Sequence, residues 1–145
     1  MTSELITEAV GDEGRLVTTS LPPAPVDSVV FAADGGWHTE RLAESLERAD
    51  ATTTMIVGVH GQPDDDGRLH EYVLGFDDER FAAHETFFVD EVPRWLVDRF
   101  RVALPADRTA VWGASLGAEL ALAMALRHPQ LFGVVLAASP GGGFR

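Results

Sequence analysis

Four runs along this chain are apolar at successive positions instead of alternate ones: DSVVFAADGG (27–36), TTMIVGVHG (53–61), RTAVWG (108–113) and FGVVLAASP (132–140). Strands of that kind are buried on both faces, whereas a strand with one wet face would alternate. Between them the period changes. HTERLAESLERAD (38–50) puts Leu42 and Leu46 on one helical face and a Glu44/Arg48 pair on the other. TFFVDEVPRWLVDRFRV (86–102) groups Phe88, Val92, Trp95, Leu96 and Phe100, with a kink or restart expected at Pro93. LGAELALAMALRH (116–128) is helical and apolar on nearly every face.

Strands that alternate with helices predict a mostly parallel sheet covered on both sides, a three-layer α/β/α architecture. Upstream, GRLVTTSLPPAP (14–25) reads as an edge strand stopped by Pro22 and Pro23, and residues 1–14 as a flexible lead-in to one domain over 15–145. QPDDDGRLHEYVLGFDDERFAAHE (62–85) is too long for an ordinary connection and reads as a surface flap or functional loop. In a parallel sheet the site lies outside the carboxyl ends of the strands. The alternation brings four features to that edge: DGGWH (34–38), HGQPDDDGR (60–68), Ser115 and SPGGG (139–143).

Ser115 stands between Gly113 and Gly117, after a buried strand and before a helix. By chance, GxSxG arises in roughly one chain of this length in twenty, so its context decides its meaning. At a sharp strand-to-helix turn the serine backbone is strained and its hydroxyl stands above the sheet edge, while a Cβ at either glycine would collide with strand or helix. The N–H of Leu116 then lies at a helix N-terminus, where it can stabilise an oxyanion. This is the nucleophile elbow of α/β-hydrolases. The competing reading is a glycine-rich turn whose serine caps the helix.

Composition removes other classes. With 11 Lys+Arg against 23 Asp+Glu the net charge is −12, and every one of the bases is arginine. Such a chain is a poor ligand for a phosphate backbone, so no nucleic-acid partner is expected. It has no cysteine, hence no disulfide framework, thiolate zinc site or cysteine nucleophile. Asp64, Asp65 and Asp66 lack calcium-loop spacing and read as a solvated turn, so no metal site is expected. The acidic start MTSELITEAVGDEG is unlike a secretory signal, and no apolar run is long enough to span a bilayer. A cytoplasmic protein without membrane partners is the expectation.

From residue 15 to about 140 the chain resembles the putative-esterase family of α/β-hydrolases that includes enterochelin esterase, esterase D and the antigen 85 mycolyltransferases. It is most similar to the enterochelin-esterase-like branch. The residues that carry the resemblance are Asp34-Gly35, the segment from Phe87 to Pro93, the elbow at Ser115, Arg127-His128-Pro129, and Phe132-Gly133. The resemblance implies an α/β-hydrolase fold and cleavage of a carboxylic ester through an acyl-enzyme on Ser115, with no metal or cofactor. It further implies an oxyanion hole from the N–H groups of Gly36 and Leu116, a pocket lined by Trp37 and His38, and Arg68 meeting an anionic substrate group. Transfer of the acyl group to an alcohol would use the same residues.

The rest of a triad is not legible. A serine nucleophile needs a histidine, and the histidine an acid, which in this fold follow the serine in that chain order: acid, then histidine. Residues 116–145 hold one acid, Glu119 within the helix, and one histidine, His128. At 1.5 Å per residue His128 is roughly 20 Å along the helix from Ser115, and so structural. The chain therefore reads as the N-terminal portion of the fold, lacking its last strands, or as a truncated relative. FGVVLAAS is too apolar for an exposed edge, so a homodimer that covers it is a second expectation. Of the other histidines, His38 and His60 fall on the site edge, His38 the better placed. The alternative function is a non-catalytic interaction module that keeps the elbow as architecture.

Overall fold

The structure is a computed structural model and describes residues 2–140. Six strands form one sheet in the order β1-β2-β4-β3-β5-β6: β1 Glu4–Val10, β2 Arg15–Leu21, β3 Ser28–Ala32, β4 Thr54–Val59, β5 Thr109–Ala114 and β6 Val134–Ala138. The last four are mutually parallel; β1 and β2 are antiparallel additions beside β4. The four expected strands are present and the fold is the expected α/β one, but β6 is exposed along its length where a strand buried on both faces was expected, because it is the last strand of the sheet among the described residues.

The helices are α1 Gly35–Arg48, α2 Asp65–Tyr72, α3 Asp78–Thr86, α4 Val92–Phe100 and α5 Leu116–Arg127. Strand alternation sorts them into two layers. Met55, Val57 and Val59 of β4 belong to one buried cluster with Phe31, Phe88, Val111, Leu120 and Met124. Gly58, between them on the opposite face, meets Thr39 and Gly35 of α1. Close approach explains the composition of α1: its buried residues are Gly35, Thr39 and Ala43, while Leu42 and Leu46 are only half buried. A Cβ on Gly35 would lie 2.0 Å from the Gly58 carbonyl carbon. Arg48 reaches Ser45 instead of the expected Glu44.

Upstream, the expected lead-in is instead a strand. Residues 4–10 pair with β2 in full register, which moves β2 from the sheet edge to its interior. The reason is local: Gly11 and Gly14 take positive φ and close the hairpin, with Gly14 N–H donating to the Gly11 carbonyl.

A second difference concerns 62–85, which forms α2 and α3 instead of a flap. The acidic run supplies the cap: Asp64 accepts from Gly67 N–H, Asp65 bonds Arg68 and Asp66 lies beside His70. Its carboxylates are solvent-exposed helix partners, at a helix start instead of the expected turn.

The disturbance near Pro93 is a π-helical turn, Phe87–Glu91, in which Val92 N–H reaches the Phe87 carbonyl. Proline has no N–H to give and its ring excludes a carbonyl one turn back, so the wider turn fits just before it. No helix among the described residues is long and apolar enough to cross a membrane. Gly141–Gly143 of the SPGGG segment lie outside the described residues.

Candidate active site

Ser115 sits between β5 and α5 with φ 58° and ψ −120°, and is exposed. Its own N–H donates to the Ala138 carbonyl on β6 at 3.0 Å, and its carbonyl accepts from Ala118 N–H at 3.0 Å. Of the flanking glycines, Gly113 has no room for a side chain and Gly117 little. A Cβ on Gly113 would lie 1.9 Å from the Gly117 carbonyl oxygen, and one on Gly117 would lie 3.2 Å from the Ala33 Cβ. The serine does not cap α5 through its side chain. Ser115 is therefore an exposed residue at the carboxyl edge of the sheet, with no side-chain bond to the helix it precedes.

The neighbouring strand β3 ends beside it. Ala32 pairs with Trp112, and Ala33 N–H donates to the Trp112 carbonyl at 3.0 Å. Asp34 then takes a left-handed conformation, φ 54°, and α1 starts at Gly35. The Asp34 carbonyl accepts from Trp37 N–H at 2.9 Å and His38 N–H at 3.2 Å. Gly36 and Trp37 are both exposed. Parallel pairing thus brings DGGWH and Ser115 out of adjacent strands at one end of the sheet.

The histidines separate by their partners. The His38 ring meets Trp112 edge-on at 4.9 Å, and burial lowers its basicity more than Asp34 restores it. His60 is tied to β2: its Nε2 and the Thr18 hydroxyl are 2.7 Å apart, and Thr18 is bonded in turn to Thr7. Burial, helped by the Arg15 charge, holds it below the usual histidine range. His128 closes the far end of α5 with Nε2 2.8 Å from Glu85. Among the described residues no imidazole is hydrogen-bonded to the Ser115 hydroxyl.

The expectation that Arg68 lies on a surface flap or functional loop needs correction. It is 7% exposed on α2, because the segment is helical and turns it inward. Its Nε donates to Asp34 Oδ1 at 3.0 Å, its Nη2 to Asp34 Oδ2 at 2.7 Å and its Nη1 to Asp65 at 3.0 Å. Tyr72, which the sequence reading passed over, donates from its hydroxyl to Asp34 Oδ1 at 2.9 Å. A signal was present: Arg68 and Tyr72 are four residues apart, hence on one helical face.

A cavity of about 480 Å³ lies away from Ser115, beside the β1–β2 turn, with Arg15, Glu71, Arg80, His84 and Phe87 in its walls. Among the described residues no group of His, Asp and Glu is arranged to hold a metal ion.

The sequence profile of the family described as "Putative esterase" matches residues 21–141. The chain belongs to the putative esterase family. Comparison with curated proteins gives no match. Among solved structures this esterase-family chain is similar to the BES protein from Bacillus cereus, with TM-score 0.75, 18% identity, and 96% of this chain and 61% of that one covered. It is similar to the enterobactin esterase FES from Shigella flexneri, with TM-score 0.73, 21% identity, and 97% and 37% covered. Siderophore hydrolase EstA from Aspergillus nidulans gives TM-score 0.74, 21% identity, and 96% and 57% covered. At these identities the likeness is one of fold, and the esterase-family chain spans about 37 to 61% of the length of these proteins.

Proposed function

We propose that this chain carries the nucleophile and oxyanion hole of a serine esterase acting on a carboxylic ester. The observation that carries the reading is the Ser115 backbone, φ 58° and ψ −120°, between Gly113, which has no room for a Cβ, and Gly117, where a Cβ would be tightly packed. A strained turn of this kind costs roughly 1–3 kcal/mol and persists where the surrounding structure enforces it. Membership of the esterase family and a fold shared with enterobactin and siderophore esterases support the same reading.

In the proposed reaction Ser115 Oγ attacks the ester carbonyl carbon as its proton passes to a base. The carbonyl π electrons move to oxygen, where the N–H groups of Leu116 and Gly36 stabilise the charge. Collapse expels the alcohol with a proton and leaves an acyl-serine, which water hydrolyses to the acid and free Ser115. No step calls for a metal or cofactor. Trp37 and His38 form the wall beside the oxyanion turn, where an acyl or alcohol group would rest.

A second reading, an interaction module that keeps the elbow without catalysis, is favoured by one observation: no imidazole among the described residues bonds Ser115. Covalent labelling with a fluorophosphonate probe separates the two. Labelling located at Ser115 by mass spectrometry and lost in Ser115→Ala supports the esterase. A folded protein that does not label supports the module.

A further inference from the structure

Asp34 links three pieces of the site. Its main chain forms the turn into α1, its carboxylate lies where a Cβ on Gly117 would be 3.1 Å from Oδ2, and its side-chain hydrogen bonds come from α2. It is 3% exposed and held at φ 54°, which is unfavourable for a residue with a side chain. A buried carboxylate also has to be matched by charge and hydrogen bonds. Arg68 supplies a two-pronged match at 3.0 and 2.7 Å. Burial opposes the charge on Arg68, and the bonds and charge of Asp34 outweigh it, so the guanidinium is held more firmly protonated than usual.

Tyr72 acts on both parts of the same residue. Its oxygen accepts from Asp34 N–H at 3.3 Å while its hydroxyl donates to Asp34 Oδ1 at 2.9 Å. Burial, then the Asp34 charge, push the phenol well above its ordinary range, so it stays a donor. The arrangement leaves no slack: a Cβ on Gly61 would lie 2.2 Å from the Tyr72 oxygen and 2.8 Å from Asp34 Oδ1. Arg68 carries one more load. Its guanidinium lies 4.9 Å from the centre of the Trp37 ring, which is 51% exposed beside the oxyanion turn.

We propose that Arg68 and Tyr72 are positioning residues: gripping Asp34 and supporting Trp37, they hold the Gly36 N–H and the pocket wall in register with Ser115. The inference rests on the reading of Ser115 as nucleophile, but its geometric part is testable without catalysis. Arg68, whose three nitrogens are all engaged within the protein, acts on substrate through Asp34 and Trp37.

The test compares wild type, Tyr72→Phe and Arg68→Lys by amide hydrogen exchange and by the concentration dependence of fluorophosphonate labelling. Trp37 and His38 amides, both bonded to the Asp34 carbonyl, are expected to exchange at least tenfold faster in each variant, with amides of Leu120 to Met124 unchanged. The maximal labelling rate is expected to fall about tenfold without change in the half-saturating probe concentration. Unchanged exchange at Trp37 and His38 overturns the proposal. Equal acceleration in α5 also overturns it, since that reports general destabilisation. Wild type that fails to label defeats the nucleophile reading, and the exchange data then decide the clamp alone.

Discussion

His84 Nδ1 lies 3.8 Å from Glu71 Oε1, yet neither ring nitrogen of His84 has a hydrogen-bond partner. The Glu71 carboxylate is engaged elsewhere, gripped by Arg15 at 2.9 and 2.5 Å and by Gln62 at 3.2 Å. Burial opposes the Glu71 charge, but these partners outweigh it and keep its acidity stronger than usual. For His84 burial dominates over the pull of Glu71, and its pKa falls to about 4.

This relationship sets a pH window. Between pH 6.5 and about 4 the unfolded chain binds a proton at His84 that the fold refuses, so stability declines as pH falls through that range. The loss levels off below the folded value. His84→Leu, which removes the unpartnered nitrogens at similar volume, is expected to be about 1 kcal/mol more stable at pH 7 and to lose less stability than wild type from pH 7 to 5, with a residual slope from His38 and His60, whose basicity is also lowered. Urea unfolding at pH 7, 6 and 5 measures both; an unchanged slope in the variant would assign the acid loss to other groups.

Strain at Ser115 has a cost that glycine would relieve. Ser115→Gly is expected to raise the unfolding free energy by about 1 kcal/mol, because relief of roughly 1–3 kcal/mol outweighs about 0.5–1 kcal/mol of added chain entropy. Ser115→Ala, which keeps the Cβ, is expected to gain much less. Equal gains in the two variants would show that the backbone is not strained.

The two glycines around Ser115 differ in how they fail. Gly113→Ala places its Cβ against the Gly117 backbone at 1.9 Å and is expected to cost more than about 3 kcal/mol, or to prevent folding. Gly117→Ala meets its neighbours at 3.1 and 3.2 Å and is expected to cost about 1 kcal/mol. Parallel urea titrations would rank them, and the reverse order would mean that the elbow packs differently.

Among the described residues strand β6 is an apolar edge, with Val134, Val135 and Leu136 at 40, 38 and 46% exposed. Unpaired apolar edges recruit further strands. Concentration-dependent self-association of this chain is therefore expected, reduced in Leu136→Lys, and sedimentation equilibrium measures both. A wild type that is monomeric at every concentration would contradict it.

Much of the architecture was legible in short-range pattern. The apolar runs around Val29, Val57 and Val111 marked buried strands and the run around Val135 marked a strand, which is exposed along its length, and the glycine spacing around Ser115 marked a crowded turn, because each constraint acts within a few residues. Hairpin formation by residues 4–10 was less legible, since its signals are glycines with positive φ and a strand with one wet face. The helical nature of 62–85 depended on caps from Asp64 and Asp77 inside a stretch that composition marks as polar.

What the sequence determined by itself was the alternation of strands and helices, the strand-to-helix turn at Ser115, and hence which strand ends share one edge of the sheet. What only the tertiary structure decided was which side chains meet there. Arg68 and Tyr72 reach Asp34 across 34 and 38 residues of chain, and His84 is sealed among Tyr72, Phe87 and Phe88. Periodicity fixes the face on which a residue lies; its partner is set by how elements distant in sequence pack, where burial makes an unmatched charge too costly to leave alone.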